Sequence, residues 1–149
     1  MTYNDILRSL RHTLHMPEIK FLEMIRLSGS GPTLEELTAY LKPETDPGFR
    51  ECGGEVLAAC LDGLVIHKRG KQPNRPFLHT PPKPNNNIIL KKVRVAFELE
   101  ETDLIELIGK AGLEISKGEL NSFFRSPEHR NYRPCGNQFL RAVLRGLAA

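Results

Sequence analysis

No stretch of this 149-residue chain approaches the ~20 consecutive apolar residues that a membrane-spanning helix needs. It also does not open like a secretory leader. Met1-Thr-Tyr-Asn-Asp-Ile starts acidic and then runs amphipathic with Arg8 and Arg11. Cysteine is sparse, three residues in all, and an odd number in such a chain makes free thiols the default. There is no Cys-x-x-Cys and no His-x-x-x-His, so His129 and Cys135 are scattered candidates without ligand spacing, and neither metal nor cofactor is expected. These absences read as a soluble, cytoplasmic protein with no membrane partner. A further absence concerns charge of one sign. From Gly63 to Phe97 there is no Asp or Glu, while the stretch holds Lys68, Arg69, Lys71, Arg75, Lys83, Lys91, Lys92 and Arg94.

What is present is the same sequence twice. Slid by 83 positions, the two halves align without a gap from Asn4 over Asn87 to Leu64 over Leu147. Arg11, Glu36, Arg50, Cys52 and Gly63 fall on Arg94, Glu119, Arg133, Cys135 and Gly146. The period is too long for an ordinary solenoid, whose units run at about 20–50 residues. Two similar subdomains fit it better.

Each copy reads as four helices. Ile6, Leu7, Leu10 and Leu14, matched by Ile89, Leu90, Val93 and Phe97, share one helical face. Asn4 and Asn87 stand just before these runs, and Asn is a favoured N-cap. The second helix is expected to start near Pro17 and to stop at Gly29, or at Gly112 in the second copy. The third opens on Thr33-Leu-Glu-Glu36 or Ser116-Lys-Gly-Glu119, both fitting a capping box. The fourth begins near Cys52 or Cys135. Between the copies lie Pro73, Pro76, Pro81, Pro82 and Pro84, a density that favours extended chain. The fold expected is therefore all-α: one four-helix repeat over 1–66, an extended basic linker over 67–86 and a second repeat over 87–149.

Chemistry is harder to find. The residues shared by both copies include no Ser, no His and no paired Asp, so no catalytic residue is assigned and no enzyme activity is expected. A site unique to one copy could use His129, Asn131 and Tyr132. Cys52 and Cys135 each follow an Arg by two residues at a helix start, a setting that can favour thiolate; burial at a tight helix start is the plainer reading. Gly63 and Gly146 inside the last helix of each copy point to close packing. Arg11 and Arg94, and Glu36 and Glu119, are polar and shared by both copies, and an ion pair that orients helices within each copy explains that at least as well as ligand binding does.

The charge pattern is the best functional clue. Lys68, Arg69, Lys71, Arg75, Lys91, Lys92 and Arg94, with Arg130 and Arg133 from the basic end of the chain, could hold nucleic acid or another polyanion. The alternative is that the stripe faces the acidic stretch 98–106. Only Phe77 and Phe97 interleave it, which argues against a base-stacking platform. Pro17 to Leu41 could also be read as a helix-turn-helix, but its second helix is acidic. In the second copy Lys117, Asn121, Ser122 and Arg125 suit a groove reader better. The competing function is a protein-interaction scaffold that uses the groove between the repeats.

The strings Asn-Asp-Ile-Leu-Arg-Ser-Leu-Arg, Leu-Val-Ile-His-Lys-Arg-Gly-Lys, Asn-Asn-Ile-Ile-Leu-Lys-Lys and Asn-Tyr-Arg-Pro-Cys-Gly-Asn-Gln-Phe-Leu-Arg resemble the YehS-like family of bacterial proteins. The resemblance covers essentially the whole chain, duplication included. It implies a tandem domain of unknown function in a bacterial cytoplasm, and brings no catalytic or ligand residues with it.

Overall fold

A computed structural model describes residues 1–71, 74 and 76–149. It contains α1 (Tyr3–Leu14), α2 (Glu18–Arg26), α3 (Leu34–Leu41), α4 (Gly54–Arg69), α5 (Asn86–Phe97), α6 (Glu101–Lys110), α7 (Lys117–Ser122) and α8 (Asn137–Ala148), with no strand among the described residues. The protein is all-helical and duplicated, four helices to each copy.

The helix starts follow side-chain chemistry. Thr2 and Asp5 form a capping box at α1, and Thr33 and Glu36 form one at α3. Ser116 caps α7 by accepting from Glu119 N. The stops recur in both copies. His15 and Glu98 end α1 and α5 at φ 54°, and Gly29 and Gly112 follow α2 and α6 at φ 97° and 80°.

Asn4 and Asn87 are not the caps. Thr2 and Asn85 hold those positions, because a Thr-x-x-Asp box already satisfies the first turn of α1. Both Asn side chains are buried and do something else. Asn4 Nδ2 donates to Tyr40 O at 3.0 Å and Arg50 O at 2.9 Å, while its Oδ1 accepts from Cys52 N at 2.9 Å. Asn87 repeats this with Phe123 O at 3.1 Å, Arg133 O at 2.8 Å and Cys135 N at 2.9 Å. One amide thus clamps the end of the third helix and the start of the fourth to the first.

Ion pairs between the shared Arg and Glu residues do not form. Arg11 Nε donates to Met16 O at 3.0 Å and Arg94 Nε to Leu99 O at 3.1 Å, so each closes the turn between its own first two helices. Glu36 is taken up by the backbone N–H of Thr33. The linker boundary also shifts. α4 runs past residue 66 to Arg69 and stops at Gly70, φ 74°. His67, Lys68 and Arg69 suit a last turn because cations complement the negative end of the helix. Pro73 and Arg75 lie outside the described residues.

The two copies do not keep separate cores. α1 packs on α8 and α4 packs on α5, while α1 meets α4 and α5 meets α8. These four helices close a ring, two from each copy, and α2–α3 and α6–α7 flank it. One continuous apolar cluster runs through both copies, from Leu7, Leu10 and Phe21 to Leu90, Leu104 and Leu140, all fully buried. Each such side chain contributes about 1.5–3 kcal/mol by leaving water. Gly63 is required by this packing. A Cβ there would collide with Met24 O and lie 2.9 Å from Ile25 Cα, so α2 rests on α4 backbone to backbone.

Candidate functional site

The cations expected to form one stripe have different fates. Lys68 is exposed and sits 5.0 Å from the centre of the Phe97 ring. Arg69 pairs with Glu98, the first residue of the acidic stretch. That pair is largely solvent-exposed and is worth at most about 1 kcal/mol. Arg94 is half-buried, bonded to Leu99 O, with its guanidinium 4.6 Å from the Phe124 ring centre. Lys92 is also half-buried. Its Nζ donates to Leu78 O at 2.8 Å and lies 4.0 Å from Asp62 Oδ1. Burial pushes its pKa down, and the Asp62 carboxylate works against that shift. Lys71 and Lys91 are exposed, and among the described residues neither makes a side-chain contact of this kind. Arg130 and Arg133 are exposed on the loop between α7 and α8.

Arg69, Lys71, Lys91 and Lys92 do meet at one place. They rim a cleft of about 960 Å³ between the second half of α4, α5, the end of α2 and linker residues 76–81. Its floor is aliphatic: Val65 and Ile66 from α4, Ile88 from α5. Three large apolar side chains stand open to solvent on it, Leu27 at 41 %, Leu78 at 77 % and Val95 at 43 % exposure. Because α4 belongs to one copy and α5 to the other, this is a groove between the repeats.

The linker wall of the cleft is fixed by a residue the sequence reading passed over. Asp62 is 3 % exposed in the middle of α4. It accepts from Thr80 N at 3.0 Å and Thr80 Oγ1 at 2.6 Å, and His79 Nδ1 stands 3.3 Å from its other oxygen. Gly54 lets the linker approach, since a Cβ there would run into Pro82 O and Lys83 Cα. A lone acid inside the apolar run Ala59-Cys60-Leu61-Asp62-Gly63-Leu64 was the available signal. Buried carboxylates need partners. Its counterpart in the second copy is Arg145, so the repeat comparison hid it.

The remaining candidates assemble nothing comparable. His129 Nδ1 accepts from Asn131 N at 3.0 Å within its own exposed turn. Of the suggested groove reader, Ser122 is buried and Asn121 Nδ2 reaches back to Glu101 at 3.4 Å. Cys52, Cys60 and Cys135 are free and buried. Burial pushes the Cys52 and Cys135 thiols up to about 11, against the thiolate reading. Among the described residues no three His, Cys, Asp or Glu cluster as metal ligands, and no helix is long and apolar enough to cross a membrane.

Known proteins place this architecture in a family without adding chemistry to it. A family described as a protein of unknown function (DUF1456) matches residues 3–70 and 86–149, the two copies in turn. The uncharacterized protein YehS of Escherichia coli (strain K12) is 40% identical over 149 residues, spanning all of this chain and 96% of that protein. No solved structure matches. The paired match and the full-length relative agree with the duplication in the helices, and the chain belongs to the DUF1456 family.

Proposed function

We propose that this protein is a non-enzymatic interaction module that holds an acidic, amphipathic segment of a partner protein in the groove between its repeats. The observation that carries this reading is the joint placement of open aliphatic side chains and cations in one cleft. Apolar anchors of a partner segment would cover Leu27, Leu78 and Val95. Its carboxylates would meet Lys71 and Lys91 at the rim. This is the helix-in-groove or extended-segment mode, in which apolar anchors supply affinity and rim charges supply register and rate.

Nucleic acid is the second reading, and the acid-free stretch favours it. The geometry supports it less. Lys68, Arg69, Lys92 and Arg94 are each occupied by an internal contact. Phosphate affinity grows with the number of cations free to release counterions. The rings on the cleft, Phe77 and His79, pack edge to face on each other, and Lys92 Nζ lies 5.9 Å from the Phe77 ring centre, so they form no extended platform for stacked bases.

A peptide-display selection on the intact protein tests the proposal. Counter-selection uses the Leu78→Asp/Lys91→Glu variant, whose substitutions are both on exposed positions. The expected survivors alternate Leu, Ile or Phe with Asp and Glu. Survivors that bind the variant equally well, or that carry no acidic bias, would contradict it.

A further inference from the structure

A second cavity lies at the N-terminal end of α5 and is built symmetrically. It is an open hollow of about 940 Å³, lined largely by equivalent residues of the two copies. Thr2 faces Asn85 across it in the repeat alignment, Tyr3 matches Asn86, Phe49 matches Tyr132, and Cys52 matches Cys135. The cavity therefore sits where the pseudo-symmetry of the chain brings both first helices and both α3–α4-type loops together. Nothing in the cleft proposal uses it.

Its lining has a distinct chemistry. Three half-buried rings, Tyr3, Phe49 and Tyr132, border it, and none of them is stacked on another ring. Two exposed carboxylates, Glu44 and Glu51, stand at its margin, and neither forms an ion pair among the described residues. Among the described residues no lysine or arginine lines it, in a chain that carries 21 of them against 18 acids. Asp5 and Glu55, in the first turns of α1 and α4, offset the positive ends of those helices, whereas α5 and α8 carry no acid in their first turns. The charged side chains at its margin are thus opposite in sign to those of the groove. Aromatic faces attract cations through the ring quadrupole, and carboxylates beside them add the counter-charge.

From this geometry we infer that the symmetric cavity is a binding site for an organic ammonium ion. The shared chemistry is a soft cation with apolar substituents. It could be a quaternary ammonium group or a protonated polyamine, and both are tested directly.

The experiment is calorimetric titration of the intact protein with tetramethylammonium chloride and, separately, with spermidine, against sodium chloride at matched ionic strength. Saturable one-site binding of at least one probe is expected. Tyr132→Leu should weaken it at least fivefold by removing a ring. Glu51→Gln changes an exposed side chain without touching the core and should weaken it at least threefold. Glu98→Gln, outside the cavity, should leave it unchanged. Binding of tetramethylammonium alone would identify a quaternary ammonium site, and binding of spermidine alone a polyamine site. No saturable binding of either probe, or affinity that Glu51→Gln and Tyr132→Leu both leave unchanged in a protein of native helicity, would overturn the inference.

Discussion

Two asparagines illustrate how far a single residue can be read from sequence. That Asn4 and Asn87 mattered was visible, because they recur at the same place in both copies. The role was not, because cap preference is a local rule and the partners lie 36 to 48 residues away. Asn4→Ala would leave Tyr40 O, Arg50 O and the Cys52 N–H without their partner. A buried group left unsatisfied costs about 1–3 kcal/mol. We expect a loss of more than ~2 kcal/mol in urea unfolding for Asn4→Ala, against about 1 kcal/mol for Thr2→Ala, the true cap. Equal losses would restore the cap reading. The cysteines are decided at the same scale. With thiols held near 11 by burial, only about one in 10⁴ is ionised at neutral pH. Alkylation of the folded protein by iodoacetamide at pH 7 should be much slower than in urea. Fast modification of Cys52 and Cys135 in the native state would instead reveal reactive thiolates.

At the scale of elements, most of the helices were legible. Periodicity, the Thr33–Glu36 box and the glycine stops each rest on short-range chemistry that both copies state independently. The end of α4 was less legible because the prolines downstream look like the natural stop. Gly70 ends the helix first, after three residues that helices accept readily. Glycines inside helices separate packing from propensity. Gly63→Ala forces a methyl onto the backbone of α2, which cannot yield, and should cost at least ~2 kcal/mol. Gly109→Ala, in α6 with open space around it, should stabilise by up to ~1 kcal/mol. Gly146→Ala should fall between them, because the obstructing group is the flexible end of Leu107. Thermal unfolding of the three variants checks the order. A neutral Gly63→Ala would mean that α2 and α4 are not packed backbone to backbone.

The whole molecule was the least legible scale, for a reason built into duplication. Two copies with the same apolar stripes can pair their first and fourth helices within a copy or across copies, and the stripes alone do not distinguish these. The observed ring, with α1 on α8 and α4 on α5, uses cross-copy pairing for its largest faces. That choice creates the groove, because α4 and α5 become neighbours under the linker strap anchored by Asp62. It also divides the basic stripe: the cations at the core-facing side are absorbed, and Lys71 and Lys91 remain at the rim. We propose that this groove takes an acidic amphipathic segment and not a nucleic-acid strand. The most direct test is fluorescence anisotropy of a selected acidic peptide and of an oligothymidine, titrated with the intact protein over a salt series. We predict that near ~0.15 M salt the peptide binds at least tenfold tighter than the oligonucleotide. We also predict that Val95→Asp removes most of that affinity. Tighter binding of the oligonucleotide, falling steeply with salt and unaffected by Val95→Asp, would instead make the groove a nucleic-acid site.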